Sequence, residues 1–170
     1  MIKLMNTRSI PRVLVAGIVA LAANMLLLGL ADHFGIVTAR GGFQRLVKLW
    51  TTPWLVAGGL DVIWSRSQLP DPGSAPFMVA FKIAAGLTMA LVYLSIEPAL
   101  PGRWWAKGLF YALLVWLLNA AVVLPLLGQG FAGARSLTWV GMIAFALAHT
   151  TFFLVLAWLY RPRRGEADVT

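Results

Sequence analysis

The chain has 170 residues, of which 60% are hydrophobic and only 12% are charged. Soluble domains are about half apolar and about a quarter charged, so this composition excludes a sizeable soluble domain and indicates an integral membrane protein. The net charge of +8 does not indicate a nucleic-acid partner, because the basic residues mostly flank apolar runs and do not cover one solvated face. The chain contains no cysteine, which excludes disulfides, thiolate metal sites and a cysteine nucleophile.

The N-terminal part predicts the first membrane span. Basic residues at Lys3, Arg8 and Arg12 precede an uncharged run from Val13 to Ala31. This order resembles a secretory signal peptide, but the run is longer than a usual signal core and long enough to cross the ~30 Å hydrocarbon layer as a helix. We therefore interpret residues 13–31 as a retained transmembrane helix.

The connector over residues 32–76 predicts an outer segment that does not cross the membrane. Four of its apolar residues recur at the spacing of one helix face: Phe43, Leu46, Val47 and Trp50. This pattern indicates an amphipathic helix at the membrane interface, which we expect Pro53 to interrupt. The apolar stretch that follows is too short to span, so it either lies at the surface or re-enters the bundle. The whole amphipathic outer segment is predicted over about residues 42–65.

Three further apolar runs are long enough to cross the bilayer: residues 77–97, 108–127 and 137–160. Tryptophan is typical of the membrane–water interface, and six tryptophans near predicted span ends are expected to act as interfacial anchors: Trp50, Trp54, Trp104, Trp105, Trp139 and Trp158. The sequence therefore predicts an all-α bundle of four transmembrane helices in one membrane domain, with an additional interfacial or re-entrant helical segment between the first two spans.

The distribution of lysine and arginine predicts the orientation. Both ends of the chain and the connector between the second and third spans carry more of these residues than the other two connectors. Because positive charge near span ends favours the cytoplasmic side, we expect both termini in the cytoplasm and residues 32–76 outside.

Each predicted span carries one polar residue near its midpoint: Asn24, Thr88, Asn119 and His149. With a rise of 1.5 Å per residue, the four lie within a layer of about 5 Å. Two of them also extend stripes of small residues, which allow membrane helices to approach closely: Ala16, Ala20 and Asn24 on the first span, and Ala80, Ala84 and Thr88 on the second. The pattern predicts a shared polar layer in the middle of the membrane.

Three interpretations of this layer remain open. The four side chains could serve only to join helices by hydrogen bonds. They could instead form a path for a solute or proton, with His149 as the titrating member. Alternatively, His149 could ligate a haem or a chlorin, although the only other histidine, His33, lies too far along the first span to share one iron. No other cofactor and no metal is expected.

Lys82 lies a short distance inside the outer end of the second span. A lysine in that position can extend its ammonium group to the headgroups. The alternative is an outer-side charge site in which Lys82 pairs with a carboxylate, the candidates being Asp32, Asp61 and Asp71. No recognised catalytic motif occurs, whether of zinc proteases, phosphate-binding loops or serine hydrolases, so enzymatic activity is not expected.

Three segments resemble a known group of proteins: LVYLSIEPALPG, KGLFYALLVWLLNAAVVLPLLGQGF and AFALAHTTFFLVLAWLY. Together they resemble the small four-span bacterial inner-membrane proteins of the YagU-like kind, a family of unknown function. Such proteins often place a histidine early in the second span, where this chain has Lys82. The resemblance implies a bacterial cytoplasmic membrane and four helices, and it implies no particular activity.

The leading hypothesis for function is a non-enzymatic accessory or scaffold subunit that packs against other membrane proteins, or against further copies of itself, within the lipid bilayer. It follows from spans rich in small residues and from the small extent of the parts outside them. The alternative is a small oligomeric transporter or channel that uses the midplane polar layer. A tetrapyrrole-binding membrane subunit, with His149 as its ligand, is the third hypothesis.

Overall fold

The computed structural model describes residues 9–39, 41–67, 70 and 74–161, and the regular structure in these ranges is entirely helical. The helices are α1 (Ser9–His33), α2 (Gly42–Ala57), α3 (Leu60–Arg66), α4 (Ala75–Ile96), α5 (Trp104–Leu118), α6 (Leu124–Leu126) and α7 (Trp139–Leu159), with a π-helical segment, Asn119–Val123, between α5 and α6. Four stretches are long and apolar enough to cross a membrane: Ser9–His33, Ala75–Ala99, Trp104–Leu126 and Trp139–Leu159. The predicted all-α membrane bundle with four spans is confirmed.

The four long helices pack in the order α4, α1, α7, α5, with α1 and α7 in the middle. Small residues make these contacts close, as expected for membrane helices. A Cβ atom added to Gly17 of α1 would lie 2.8 Å from the Cβ of Ala90 on α4, and one added to Gly108 of α5 would lie 3.1 Å from the Cβ of Ala157 on α7. Helix packing therefore depends on individual glycines.

One end of the bundle is filled by a tyrosine cluster, formed by Tyr93, Tyr111 and Tyr160. The rings of Tyr93 and Tyr111 stack with centroids 5.7 Å apart, and the ring of Tyr160 packs edge-on against Tyr93 at 6.1 Å. The hydroxyl of Tyr111 donates to the carbonyl oxygen of Met89 at 3.1 Å. At the same end, the Nζ atom of Lys107 lies 2.6 Å from Oε1 of Glu97 and joins the end of α4 to the start of α5.

The start of α2 packs into the opposite end of the bundle. Gly42 is buried, and a Cβ added to it would contact the side chain of Leu124 at 3.4 Å. Leu46 is also buried, whereas every residue from Lys48 to Ile63 is exposed. The outer segment thus touches the bundle through its first turns, and it contacts α4 again where the ring of Trp64 packs edge-on against that of Phe77 at 6.0 Å.

The expected break at Pro53 is wrong, because α2 continues through this proline to Ala57. Proline removes one backbone donor and leaves a carbonyl four residues earlier unpaired. That carbonyl belongs to Leu49, which is exposed, so solvent or headgroups can satisfy it. The helix ends instead at Gly58 and Gly59, where Gly59 adopts a left-handed conformation with φ of 66°.

Candidate functional site

A cavity of about 210 Å³ lies inside the bundle, in the half nearest α2. Its wall is mostly apolar and comes from α1, the start of α2, α4, the α5–α6 region and α7. Five polar side chains also line it: Asn24, Gln44, Lys82, Asn119 and His149. By the helix rise, the four polar residues on the spans lie roughly 10–15 Å from the helix ends on the α2 side. Three of the four residues of the predicted polar layer, together with Lys82, therefore meet at one cavity.

Asn24 and Gln44 are the most buried of these polar residues, with exposed fractions of 8% and 9%. Asn24 reaches the cavity because the stripe of Ala16 and Ala20, which are also buried, faces the interior of the bundle. Within the described ranges, the side-chain amides of Asn24 and Gln44 make no hydrogen bond to the protein. Both amides are thus available to whatever occupies the cavity.

Asn119 begins the π-helical segment, where the Leu124 N–H donates to the Asn119 carbonyl five residues back. Pro125 follows directly and cannot donate to the carbonyl four residues before it, which favours the wider π turn at this point. Such π turns occur frequently at functional sites. The half-buried side chain of Asn119 faces the cavity, and its amide has no hydrogen-bonding partner among the residues that the structure describes.

His149 contributes one ring nitrogen to its own helix. Its Nδ1 atom lies 2.9 Å from the carbonyl oxygen of Phe145, and the two rings are 4.1 Å apart between centroids. Because a carbonyl oxygen can only accept, Nδ1 carries a proton and donates it to this bond. The Nε2 atom is left for other contacts, and His149 is one of the residues that line the cavity.

Lys82 is half-buried and forms part of the cavity wall, next to Phe81. Among the described residues of the wall it is the sole lysine or arginine, and no aspartate or glutamate is present. Of the three carboxylates predicted as possible partners of Lys82, Asp71 lies outside the described residues, and neither Asp32 nor Asp61 lines the cavity.

Thr88 is not brought to the cavity. Its side chain is exposed on the outside of α4, and its hydroxyl donates to the carbonyl oxygen of Ala84 at 2.9 Å. A threonine hydroxyl can satisfy itself on the preceding turn of its own helix, so Thr88 needs no neighbouring helix. The residues of α4 that face inwards are Gly86, Ala90, Tyr93 and Leu94.

The tryptophans predicted as anchors lie at or near helix ends or on the outer segment. Trp105, Trp139 and Trp158 are exposed at the ends of α5 and α7. Trp50 and Trp54 are exposed in the C-terminal part of α2. Trp104 is half-buried, and the Arg161 guanidinium carbon lies 4.2 Å from the centre of its ring, a cation–π contact that connects α5 to the end of α7.

Two groups of residues were not predicted from the sequence. Gln44, which does not belong to the predicted apolar face of the outer helix, is buried, while Phe43 and Trp50 of that face are exposed. The neighbouring Gly41 and Gly42 are the sequence signal for a close approach to the bundle at this point. The ion pair of Glu97 and Lys107 crosses a turn, and its spacing of ten residues corresponds to no helical repeat.

The volume of the cavity, about 210 Å³, is of the same order as the roughly 150 Å³ that a single benzene molecule fills. Within the described ranges, no three histidine, aspartate or glutamate residues lie close enough together to hold a metal ion. The described groups can instead form hydrogen bonds and a charge interaction with a small organic molecule.

The fold places the chain in the class of multi-pass α-helical membrane proteins. Comparison with models of protein families, with curated proteins and with solved structures gives no match to this chain. Its resemblance to the YagU-like proteins therefore depends on the three sequence segments alone.

Proposed function

We propose that the chain is a small membrane carrier, which holds a small organic molecule in the cavity and moves it across the membrane without converting it chemically. The cavity has the features of a small-molecule site, with apolar and aromatic walls and a few convergent polar groups. Its polar residues come from all four spans and from α2, so relative movement of the helices would change the site. These features favour the transporter hypothesis over a purely structural role for the polar layer.

The observation that carries the proposal is the position of two side-chain amides, those of Asn24 and Gln44, which line the cavity on residues that are only 8% and 9% exposed. The polar atoms of these amides are open to the cavity, because the fully buried side-chain atoms without a partner among the described residues are Thr38 Oγ1 and Gln129 Oε1. Residues that served only to join helices would be expected to pair with each other or with backbone groups. A ligand that supplies the missing hydrogen bonds explains why the cavity contains these amides.

The two ends of the bundle differ in a way that suits a carrier. The cavity occupies the half nearest α2, whereas the tyrosine cluster and the ion pair of Glu97 and Lys107 close the other half. Transport by alternating access requires a central site that is closed towards one side at a time. In this proposal the described arrangement is the state closed at the tyrosine cluster.

The experiment that tests this proposal replaces the unpaired amide with an apolar side chain of similar size. In the purified, ligand-free protein, Asn24→Leu is expected to raise the melting temperature, because it removes an unsatisfied polar group. Thr88→Val is the matched control: Thr88 is exposed and bonded to its own helix, so little change is expected. If Asn24→Leu instead lowers the melting temperature strongly, the amide is part of a hydrogen-bonded joint between helices and the carrier proposal fails.

An accessory or scaffold subunit is the second candidate function. It is favoured by the exposed part of α2, where large apolar residues such as Trp50, Trp54 and Leu55 are available for contact with another protein. Extraction from the native membrane in a mild detergent, followed by size analysis and identification of co-purifying proteins, would distinguish the two functions. A stoichiometric partner protein would support the subunit, and a lone or homo-oligomeric chain would support the carrier.

We further propose that the chain resides in a bacterial cytoplasmic membrane with both termini in the cytoplasm. The resemblance to YagU-like proteins supports the membrane, and the excess of lysine and arginine at both chain ends and between the second and third spans supports the orientation. In this orientation α2 and the cavity lie towards the outer side.

A further inference from the structure

We infer that the cavity takes up a single-chain amphiphile from the bilayer, a molecule with a hydrogen-bonding head group and a linear apolar chain. The head group lies at the amides inside the bundle, and the chain leaves the cavity sideways between α4 and α5. This inference rests on the proposed function and specifies its substrate class. Three features lead to it: a gap between two helices, the depth of the cavity mouth, and the order of polar and apolar residues along the cavity.

The gap lies between α4 and α5, the two helices at the edges of the bundle. They pack against α1 and α7 respectively, and within the described residues they do not pack extensively against each other. Contacts near the turn that joins them hold them together: the Tyr111 hydroxyl donates to the Met89 carbonyl oxygen at 3.1 Å, and Lys107 pairs with Glu97. Beyond Tyr111 and Met89, both helices contribute to the wall of the cavity.

The exposed residues of the cavity wall mark its mouth. Phe43 of α2 and Leu118 of α5 line the cavity and are 47% and 54% exposed, whereas the lining residues of α1 and α7 are buried or half-buried. The ring of Phe43 packs against that of Phe81 on α4, with centroids 5.8 Å apart. Leu118 lies roughly 12 Å from the nearer end of the third span by the helix rise, a depth at which hydrocarbon surrounds the protein. The mouth therefore opens towards lipid.

Polarity changes from the mouth to the inner end of the cavity. Phe43, Phe81 and Leu118 surround the mouth, and the amides of Asn24 and Gln44 lie on residues that are only 8% and 9% exposed. A ligand that matches this order has a polar group at its inner end and an apolar chain at its outer end. The open mouth allows the chain to continue into the bilayer, so the volume of the cavity does not limit its length.

The head group needs no charge. Lys82, next to Phe81 in the cavity wall, has an interaction partner within the protein, and the described lining contains no aspartate or glutamate. The amides both donate and accept hydrogen bonds, which suits hydroxyl and ester groups. A monoacylglycerol, with two hydroxyls and one ester at the end of a single chain, has this chemistry.

Photolabelling tests the inference with a monoacylglycerol that carries a diazirine in the part of its chain closest to the head group. The full-length protein is irradiated in phosphatidylcholine vesicles that contain this probe, and the labelled residues are identified by mass spectrometry. Label is expected on buried residues of the inner wall, such as Asn24 and Phe145, and a small amount of unlabelled monoolein is expected to suppress it. Label on the outer helix faces comes from general lipid contact and is not suppressed, because phosphatidylcholine is already in large excess there.

Two pairs of matched variants connect the inner label to the gap. Ala85 and Leu118 line the cavity, whereas their neighbours Ala84 and Leu117 are exposed and do not. Ala85→Phe and Leu118→Trp are each expected to reduce the inner label at least about fivefold, because the added ring fills the mouth. Ala84→Phe and Leu117→Trp place the same rings in lipid and are expected to leave the label unchanged. The melting temperature of each variant shows whether the bundle is intact.

The outcomes separate this inference from the proposed function. If label appears only on outward-facing residues, or if monoolein does not suppress the inner label, the cavity does not bind the amphiphile. If intact Ala85→Phe and Leu118→Trp proteins are both labelled like the unaltered protein, the ligand does not enter between α4 and α5. In each case the amphiphile class is overturned, and the melting temperature of Asn24→Leu, which involves no lipid probe, decides separately whether the carrier proposal also fails.

Discussion

The Nζ atom of Lys107 lies 2.6 Å from Oε1 of Glu97 and 2.9 Å from the backbone carbonyl oxygen of the same residue. The side chains are only 17% and 11% exposed. The pair connects the end of α4 directly to the first turn of α5, across the turn that contains Pro98 and Pro101. It joins two helices that both contribute residues to the wall of the cavity.

Breaking this ion pair from one side is expected to destabilise the protein. Lys107→Met leaves the Glu97 carboxylate in a mostly buried position without its partner, at a cost of roughly 3 kcal/mol. The double variant Glu97→Gln with Lys107→Met removes both charges and is expected to recover much of the loss. Thermal unfolding in detergent measures both, and a double variant no more stable than Lys107→Met would contradict this account.

Two glycines of α1 are expected to respond to alanine with opposite signs. A Cβ at Gly17 would lie 2.8 Å from the Cβ of Ala90, whereas no atom lies within 4 Å of a Cβ built at Gly29. Gly17→Ala should therefore force α1 and α4 apart and cost about 1–3 kcal/mol. Gly29→Ala should stabilise the helix by up to about 1 kcal/mol. The melting temperatures of the two variants provide the test, and an unchanged or raised value for Gly17→Ala would contradict the close packing of α1 against α4.

The π turn before Pro125 is expected to position Asn119 at the cavity. Pro125→Ala restores a backbone donor and allows the segment to return to an α-helix, which would rotate Asn119 by about 100° relative to the residues that follow. We expect the melting temperature of this variant to be maintained or raised, because the helix gains a backbone hydrogen bond that proline cannot form. Pro98→Ala, in the turn at the other end of the bundle, is the control. A strong fall in the melting temperature of Pro125→Ala would show that the packing of the bundle, and not the proline, requires the π turn.

The proposed orientation can be tested directly because the chain has no cysteine of its own. Ser67 follows α3 on the outer segment, and Ala99 lies in the turn between α4 and α5; both are exposed. With a membrane-impermeant maleimide, Ser67→Cys is expected to react in intact cells and Ala99→Cys only after permeabilisation. The reverse labelling pattern would place both termini outside.

The sequence predicts the spans well because a bilayer requires a long uncharged run, and such a run is visible without knowledge of neighbouring helices. It also predicts that Asn24 faces inwards, since the small residues Ala16 and Ala20 lie on the same face. The same argument selects the wrong face of α4. The stripe of Ala80, Ala84 and Thr88 is exposed, and the close contact with α1 uses Gly86 and Ala90 instead.

The rotation of α4 could not be read from the sequence for a physical reason. Lipid and neighbouring helices favour similar apolar residues, so two stripes of small residues on one helix are equivalent until their partners are known. The burial of Gln44 has the same origin, because it depends on how the first turn of α2 meets the π-helical segment and α6. Contacts between elements decide these positions, and the pattern within each element does not.

The uneven filling of the bundle has a mechanical consequence. Voids lower the resistance of a protein to hydrostatic pressure, because unfolding or hydration eliminates their volume. The half with the tyrosine cluster contains stacked rings and an ion pair, whereas the half nearest α2 surrounds 210 Å³ of free space. Pressure is therefore expected to compress and hydrate the α2 side first, so that one half of this four-helix protein is soft and the other stiff.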